Sequence, residues 1–304
     1  MQPDIDYLDD ETGARLCYRL WRPQRQPRAL IVICHGAAEH GGRYQRFAER
    51  FLPLGYSVAA LDLPGHGKSP GRRGHIDRFG QYVVALNAFV AHVRAEYPLV
   101  PVVLLGHSMG GLVVSCYLLQ HGDEVLAAVL SAPAIQTELE PALWQQLLIR
   151  AIARVWPSLG ALQLDAGGIS RDPVERQAYL DDPEIYLGKL SARMVVEMVD
   201  SMARVQQQAD AITVPLLLLH GDADTLTAPS GSRFLFEHAG SDDKMLKLYP
   251  GLYHEIFNEP EREQVFADLE TWLGARLDRR SDTDAAGQND STSASHAASQ
   301  GEQP

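Results

Sequence analysis

The chain has 304 residues, of which 45% are hydrophobic and 22% charged, a composition typical of globular proteins. Its 39 acidic residues outnumber its 27 basic ones, which gives a net charge of −12, and its lysines and arginines are not clustered. Because nucleic-acid phosphates are bound by basic clusters, this composition argues against a nucleic-acid partner.

The segment at the N-terminus lacks the basic and apolar regions of a secretory signal, and no apolar run approaches the ~20 residues of a membrane span. Cys17, Cys34 and Cys116 each lie in an apolar stretch without a paired CxxC spacing. This pattern predicts buried thiols in a reducing compartment. We therefore expect a cytoplasmic protein that can touch a membrane surface.

Two short strand candidates flank the turn DDETG and predict an antiparallel hairpin at the edge of a sheet. Beyond it, apolar runs alternate with amphipathic, helix-like stretches. Since parallel strands covered on both faces are continuously apolar, this alternation predicts an α/β fold with a mainly parallel central sheet flanked by helices. The strand candidates span residues 29–34, 56–62, 100–106, 126–132, 214–220 and 244–250, and the helix candidates span 43–54, 77–97, 109–121, 228–238 and 260–277.

The alternation of strands and helices is interrupted once, over residues 134–209, where helix signals follow one another without a strand. We expect this segment to be a helical cap inserted into the sheet domain, whose two parts are then 1–133 and 210–278. Residues 279–304 are small and polar with hardly any apolar side chains, which predicts a disordered tail.

The sequence LLGHSMGGL carries the strongest chemical signal, because GHSMG follows a strand candidate and precedes a helix candidate. This pattern is typical of a nucleophile elbow, in which a serine occupies a tight strand-to-helix turn between glycines. Ser108 is therefore the candidate nucleophile. The N–H of the next residue, Met109, and the N–H of Ala37 in the loop CHGAAEHGGRY are the candidate donors of an oxyanion hole.

A serine nucleophile needs a base, and the base needs an orienting carboxylate; with this elbow they follow in the order serine, acid, histidine. His254, in YPGLYHEIFNEP, lies in a loop between the last strand and helix candidates, where a base can reach the nucleophile. The acid candidates are Asp222 and Asp224 in LLLLHGDADTL. The local pattern does not distinguish between these two aspartates.

Metal and nucleotide chemistry fit the motifs poorly. The HExxH motif of zinc proteases is absent, and the two aspartates form only a weak D-x-D pair. The segment DLPGHGKS ends like a phosphate-binding loop, but Asp62 stands where its first glycine is required. We therefore expect no metal and no cofactor.

Five segments occur in the same order and in similar contexts as in the monoacylglycerol lipases of the α/β-hydrolase superfamily, and this resemblance spans residues 27–275. They are HGAAEHGGRY, DLPGHGKSPG, GHSMGG, HGDADTL and YHEIFNE. GHSMGG is shared by many members of the superfamily, whereas HGxxEHxGRY is much more particular to monoacylglycerol lipases and related lysophospholipases. The resemblance implies the α/β-hydrolase fold with a helical cap, or lid, and a carboxylic ester hydrolase acting on a single-chain lipid.

Carried over by position, the resemblance implies Ser108 as nucleophile, His254 as base and acid, and Ala37 with Met109 as the oxyanion hole. It also favours Asp224 as the acid, because the family's aspartate is the third residue after the glycine that closes the strand. Asp222 would then be the non-catalytic member of the pair.

Glu39 and Arg43 match family positions near the polar end of the site. The resemblance places the glycerol head of the substrate, or its exit path, at this end. The alternative interpretation is a salt bridge between the two side chains that fixes the loop.

Two helix-like segments of the cap have apolar faces. The first carries a broad stripe that includes Leu143 and Leu147, which predicts either an acyl entrance that contacts a membrane or micelle transiently, or buried packing. The second places Met194, Met198 and Met202 on one face, which indicates either a flexible acyl tunnel or simple core packing.

The sequence thus predicts a serine hydrolase that cleaves monoacylglycerols to glycerol and a free fatty acid through an acyl-enzyme. The alternatives are a lysophospholipase, a general carboxylesterase, a peptidase of the proline-aminopeptidase type, and a ligand-binding protein that kept the fold but lost turnover. Retention of all three candidate triad residues argues against the ligand-binding protein.

Overall fold

The computed structural model describes residues 2–137 and 142–279. The chain divides into two compact units, of which the first runs to Arg262 and the second begins at Glu263. The predicted disordered tail, 279–304, lies outside the described residues except for Arg279.

The first unit is built on one large sheet. In chain order the strands are β1 (Asp4–Asp9), β2 (Arg15–Trp21), β3 (Ala29–Cys34), β4 (Tyr56–Leu61), β5 (Val102–His107), β6 (Ala127–Ser131), β7 (Gly160–Leu162), β8 (Leu190–Ser191), β9 (Leu216–Gly221) and β10 (Lys244–Tyr249). Within the described residues, eight of them form the sheet β1-β2-β4-β3-β5-β6-β9-β10. The hairpin β1–β2 and the pair β2–β4 are antiparallel, and every pairing from β4 to β10 is parallel. The mainly parallel sheet with a hairpin at its edge is confirmed.

Helices connect most of the parallel strands, as predicted. They are α1 (Gln45–Phe51), α2 (Gly80–Glu96), α3 (Met109–His121), α4 (Leu143–Val155), α5 (Pro173–Asp181), α6 (Ala192–Gln207) and α7 (Pro229–His238). Residues 263–279, the described part of the second unit, are also helical.

The central strands are buried along their whole length, because the helices cover them. This holds for β3, β4, β5, β6 and β9, whose sequences are continuous apolar runs. Helix α3 is buried without interruption from Met109 to Leu118, so it lacks the polar face of a surface helix. The carboxyl ends of the parallel strands all lie at one edge of the sheet, where the loops that carry the candidate site residues begin.

The cap predicted over 134–209 contains α4, α5 and α6 and belongs to the first unit. It also contains β7 and β8, a short antiparallel pair that the sequence analysis did not predict. These strands have three and two residues, too few to show an alternating pattern. Helix α4 packs on α6 through Ile149, Ile152, Ala153 and Val196.

All three cysteines are buried free thiols, as predicted. Burial raises the pKa of Cys17 to about 11 and that of Cys116 to about 12, so both are protonated at neutral pH. None of the helices in the described ranges combines the length and hydrophobicity that a membrane span requires.

Candidate active site

Ser108 lies at the turn between β5 and α3, where the GHSMG motif predicts a nucleophile. Its backbone has a φ of 55° and a ψ of −121°, a conformation that residues with side chains rarely adopt outside functional sites. The next turn packs closely on β3, since a Cβ at Gly110 would collide with the carbonyl oxygens of Cys34 and His35. The N–H of Ser108 also donates to the carbonyl oxygen of Ser131 at 3.0 Å. Both neighbouring strands, β3 and β6, therefore fix the turn.

His254 lies in the loop after β10, and its Nδ1 is 2.7 Å from Oδ2 of Asp224. Ser108 and His254 line the same cavity, so the structure brings the predicted nucleophile and base together. Asp224 is buried and is not among the residues that line this cavity. The candidate acid therefore contacts the candidate base on the side away from the cavity.

The two aspartates of HGDADTL have different partners. Asp224 is buried, and its Oδ1 accepts hydrogen bonds from the N–H groups of Leu226 and Thr227 at 2.7 and 3.1 Å. Asp222 is exposed, and its Oδ1 accepts a hydrogen bond from the N–H of Gly251 at 2.6 Å. Asp224 thus faces the imidazole, whereas Asp222 stabilises the turn that precedes it.

A second histidine, His220, also contacts Asp224. Its Nε2 lies 3.1 Å from Oδ2 of Asp224, and its Nδ1 lies 2.8 Å from Oγ of Ser232. His220 is fully buried and does not line the cavity, so of the two imidazoles only His254 reaches the substrate space. Oγ1 of Thr227 lies 2.9 Å from the same oxygen of Asp224.

Burial and charge act in opposite directions on the acid and the base. Burial raises the pKa of Asp224, but the charge of His254 and hydrogen bonds from both imidazoles outweigh it and hold this pKa below its ordinary value. Burial lowers the pKa of His254, but the charge and hydrogen bond of Asp224, together with the charges of Glu255 and Glu39, outweigh burial and hold this pKa above its ordinary value. The ring of His107 is 4.6 Å from that of His254, and burial together with His254 lowers the pKa of His107 to about 4. At neutral pH Asp224 is therefore ionised and His107 is uncharged.

The candidate oxyanion donors belong to two segments. Met109 is the first residue of α3, a position at which the N–H has no acceptor within the helix. Ala37 lies in the loop after β3 and lines the cavity. The next residue, Ala38, has a φ of 67°, and its carbonyl oxygen accepts a hydrogen bond from the N–H of Tyr186 in the cap at 2.9 Å. The cap therefore holds the loop that carries Ala37.

Glu39 and Arg43 belong to a buried ion-pair network that also includes Glu255. Arg43 donates to the two carboxylate oxygens of Glu255 at 2.5 and 2.8 Å and to Oε2 of Glu39 at 3.1 Å. Oε1 of Glu39 accepts hydrogen bonds from the N–H of Gly36 at 2.6 Å and the hydroxyl of Tyr44 at 3.1 Å. Glu39 and Glu255 line the cavity, whereas Arg43 does not. A salt bridge thus holds the loop, and the carboxylates rather than the guanidinium form the cavity wall.

The cavity has a volume of about 440 Å³ and combines this polar wall with a largely apolar one. The apolar wall comes mainly from the cap, so the catalytic candidates face a space that suits a hydrocarbon chain. The side chains of the apolar wall include Leu162, Leu164, Ile169, Val195, Met198 and Met202.

Four residues of the predicted apolar faces of the cap lie in three different places. Met198 lines the cavity, but Met194 is fully buried in the core and does not line it. Leu143 and Leu147 are 71% and 60% exposed on α4 and are not among the cavity residues. Of these four, only Met198 is placed to contact a bound acyl chain.

Sequence reasoning missed Glu255 and His107 as cavity residues, and His220 as a partner of the acid. Glu255 directly follows His254, and His107 directly precedes Ser108, so proximity to the motifs was the available signal. The pairing of Glu255 with Arg43 could not be inferred from the sequence, because the two residues are 212 positions apart in the chain.

The chain is similar to known proteins along most of its length. A family model described as "Serine aminopeptidase, S33" matches residues 25–261. The monoacylglycerol lipase of Mycolicibacterium smegmatis is 39% identical over 267 residues, which cover 87% of this chain and 95% of that relative. The monoglyceride lipase of Homo sapiens is 34% identical and aligns over 90% of this chain and 91% of its own. The crystal structure of Paleococcus ferrophilus monoacylglycerol lipase has a TM-score of 0.77 at 32% identity and covers 86% of this chain and 99% of that one.

The family model spans most of the chain, and the relatives align along nearly their full length. The mainly parallel sheet, the serine at a strand-to-helix turn and the inserted cap are the same features that the sequence motifs predicted. The chain belongs to the monoacylglycerol lipase family of the α/β-hydrolase superfamily.

Proposed function

We propose that the protein is a serine hydrolase that cleaves the ester bond of monoacylglycerols to give glycerol and a fatty acid. The observation that carries the proposal is that Ser108 and His254 line the same cavity and that much of the cavity wall is apolar. The polar wall suits a glycerol head, and the apolar wall suits a single acyl chain. The names of the relatives at 39% and 34% identity support the same substrate class.

In the first half-reaction, Oγ of Ser108 attacks the ester carbonyl while Nε2 of His254 accepts the hydroxyl proton. Asp224 keeps the proton of the imidazole on Nδ1 and stabilises the imidazolium that forms. The N–H groups of Ala37 and Met109 donate to the oxyanion, each contributing about 3 kcal/mol to transition-state stabilisation. His254 then protonates the glycerol oxygen, and glycerol leaves an acyl-enzyme behind.

In the second half-reaction, His254 accepts a proton from water as the water oxygen attacks the acyl carbon. The tetrahedral intermediate collapses, Ser108 regains its proton from His254, and the fatty acid is released. Apart from the substrate and water, the groups that act in both half-reactions belong to the chain.

The test is a substrate panel on the purified protein, with Ser108→Ala as the control variant. The panel contains a monoacylglycerol, a lysophosphatidylcholine of the same acyl chain, p-nitrophenyl butyrate and a prolyl amide. We expect the highest kcat/KM for the monoacylglycerol and labelling of Ser108 by a fluorophosphonate probe. A preference for one of the other three substrates would support the corresponding esterase, lysophospholipase or peptidase. Failure of the probe to label Ser108 would support a ligand-binding protein.

The cap also gives the protein a surface suited to transient contact with lipid aggregates. One face of α4 packs on α6, while Leu143, Trp144, Leu147 and Leu148 on the same helix are 52–71% exposed. Isolated apolar residues are common on protein surfaces, but a contiguous apolar stripe on an amphipathic helix is typical of interfacial binding. In this proposal α4 lies on a membrane or micelle and the substrate enters beside it.

A further inference from the structure

His220 is a buried histidine that the proposed reaction does not use. It is the next-to-last residue of β9, its side chain is 0% exposed, and it does not line the cavity. Because it does not reach the cavity, it cannot act on the substrate. Its Nε2 nevertheless lies 3.1 Å from Oδ2 of Asp224, the oxygen that also contacts Nδ1 of His254. Two imidazoles therefore meet at one oxygen of the candidate acid.

Ser232 in α7 fixes the ring of His220 from the other side. A carboxylate only accepts hydrogen bonds, so the Nε2 that faces Asp224 donates a hydrogen to it. Nδ1 lies 2.8 Å from Oγ of Ser232, a buried residue whose hydroxyl can donate to it. Both nitrogens of a neutral imidazole thus have partners. The ring is held between α7 and the acid with its Nε2–H aimed at Oδ2.

The hydrogen bond from His220 completes the set of donors around Asp224. An ionised carboxylate offers about four lone-pair sites. Oδ1 accepts from two backbone N–H groups, and Oδ2 accepts from His254 and His220. Oγ1 of Thr227 also lies 2.9 Å from Oδ2, but it is 3.1 Å from the carbonyl oxygen of Ala132, which can accept its single proton. His220 therefore fills the last site on the oxygen that binds the base.

The N–H of His220 opposes the positive charge that His254 acquires in the reaction. Its positive end lies beside the oxygen that stabilises the imidazolium, so it weakens the attraction between this oxygen and the imidazolium. The side chains of His254 and Asp224 are 6% and 0% exposed, so water screens this effect only weakly. Burial raises the pKa of Asp224, but the charge of His254 and the hydrogen bonds of both imidazoles lower it by more.

The remaining charged and titratable groups around the base lie on elements other than β9. Burial lowers the pKa of His254, and the charge and hydrogen bond of Asp224 raise it. The charges of Glu255 and Glu39 raise it as well. The ring of His107 is 4.6 Å from that of His254, and burial together with His254 lowers the pKa of His107 to about 4. All of these groups remain in place when a side chain on β9 is substituted.

We propose that His220 is a positioning residue of the hydrolytic site, which holds Oδ2 of Asp224 and lowers the basicity of His254. This inference rests on the proposed function, because it assigns the reaction to Ser108, His254 and Asp224. Its consequence is that His254 stays neutral, and Ser108 stays reactive, to a lower pH than the acid and base alone would allow.

The test measures how fast diisopropyl fluorophosphate inactivates the protein between pH 5 and 9. This reagent reacts with an activated serine whichever ester is the substrate, and only neutral His254 can activate Ser108. Two substitutions of His220 form a matched pair. An Asn side chain reaches only the position of Nδ1, beside Ser232, whereas a Gln side chain reaches the position of Nε2 and can donate to Asp224.

We expect the midpoint of the pH profile to rise by at least about 0.5 unit in His220→Asn, because the acid then binds the imidazolium more strongly. His220→Gln should return the midpoint most of the way to the wild-type value. His238→Gln, at an exposed histidine of α7, is the control for the loss of a histidine and should leave the profile unchanged. If both variants at position 220 lower the rate at every pH without moving the midpoint, His220 has only a structural role and the inference is overturned.

A measurement on the wild type tests the inference even if the variants at position 220 fail to fold. In protein labelled with ¹⁵N-histidine, long-range ¹H–¹⁵N NMR shows which imidazole nitrogens carry a hydrogen. We expect a hydrogen on Nε2 of His220. The tautomer with its hydrogen on Nδ1 alone would have nothing to donate to Asp224 and would overturn the inference.

The failure of this inference can be told from the failure of the proposed function. If the midpoint moves as expected but another ester in the substrate panel is preferred, the role of His220 stands and the proposed substrate is wrong. If the monoacylglycerol is preferred but the midpoint does not move, only the role of His220 is wrong. If diisopropyl fluorophosphate does not react with Ser108 in the wild type, both proposals are wrong.

Discussion

Oδ2 of Asp224 lies 2.7 Å from Nδ1 of His254, while the carboxylate of Asp222 binds the N–H of Gly251 instead. Replacement of Asp224 by Asn removes the charge that stabilises the imidazolium, so we expect kcat to fall by about four orders of magnitude. Asp222→Asn is the matched control, because an amide oxygen can still accept the hydrogen bond from Gly251. Steady-state kinetics with a monoacylglycerol measure both variants, and the opposite order of activities would assign the acid to Asp222.

The pH dependence of the reaction should report the environment of His254. The charge of Asp224 holds the pKa of His254 above its ordinary value of about 6.5, and only the neutral imidazole can accept the proton of Ser108. We therefore expect kcat/KM to decline as the pH falls, with a midpoint above about 6.5. His107, with a pKa of about 4, does not titrate in this range. A midpoint below 6.5, measured between pH 5 and 9, would contradict the assignment.

The exposed face of α4 makes a prediction about lipid binding. Trp144→Ser combined with Leu147→Ser removes two large apolar side chains that are 65% and 60% exposed. Since burial of one such side chain stabilises by about 1.5–3 kcal/mol, we expect partitioning into phosphatidylcholine vesicles to fall at least tenfold. Cosedimentation with the vesicles measures this partitioning. Leu99→Ser, at an 87% exposed site in the loop before β5, is the control. An equal loss with Leu99→Ser would mean that contact is not specific to the cap.

We expect the removal of two different ion pairs to lower the free energy of unfolding by very different amounts. Arg19 and Asp62 are 2.6 Å apart with side chains 4% and 0% exposed, and Asp62 also accepts hydrogen bonds from the N–H groups of Gly41 and Lys68. Asp62→Ala leaves a buried guanidinium without this partner, so we expect the free energy of unfolding to fall by about 3–5 kcal/mol. Asp200→Ala breaks a pair with Arg150 whose side chains are about half exposed, which should cost at most about 1 kcal/mol. Urea unfolding of the two variants measures the difference, and similar losses would contradict it.

Local sequence patterns were sufficient to predict most helices and strands but not the order of the strands in the sheet. Apolar runs such as ALIVIC and LLLLHG correspond to strands buried on both faces, so their positions were predicted within a few residues. In the sheet β4 lies between β2 and β3, although it follows β3 in the chain. This order depends on pairings such as that of Leu30 with Ser57, which no local pattern specifies. The strands β7 and β8 were missed because two or three residues have no measurable period.

The candidate site was predictable where chemistry restricts the residue type. A serine between glycines after an apolar strand is a specific signal, and the structure places Ser108 at that turn. Asp222 and Asp224 are chemically identical and one residue apart, so the choice between them needed the family resemblance. Glu255 was missed because a glutamate in a loop has no distinguishing pattern until Arg43, from the other end of the chain, is found against it.

The cap enters and leaves the sheet at neighbouring positions. The chain leaves β6 at Ser131 and returns in β9, which pairs directly with β6 through Ala128 and Leu216. Ser108, Asp224 and His254 all come from segments outside this excursion, whereas much of the apolar wall comes from inside it. We therefore expect that the cap can be exchanged as one inserted segment while the segments that carry these three residues are retained. Such a graft must reproduce the bonds between the cap and the sheet domain. These include the hydrogen bond from the N–H of Tyr186 to the carbonyl oxygen of Ala38, and the ion pairs of Arg19 with Glu184 and of Arg171 with Glu259.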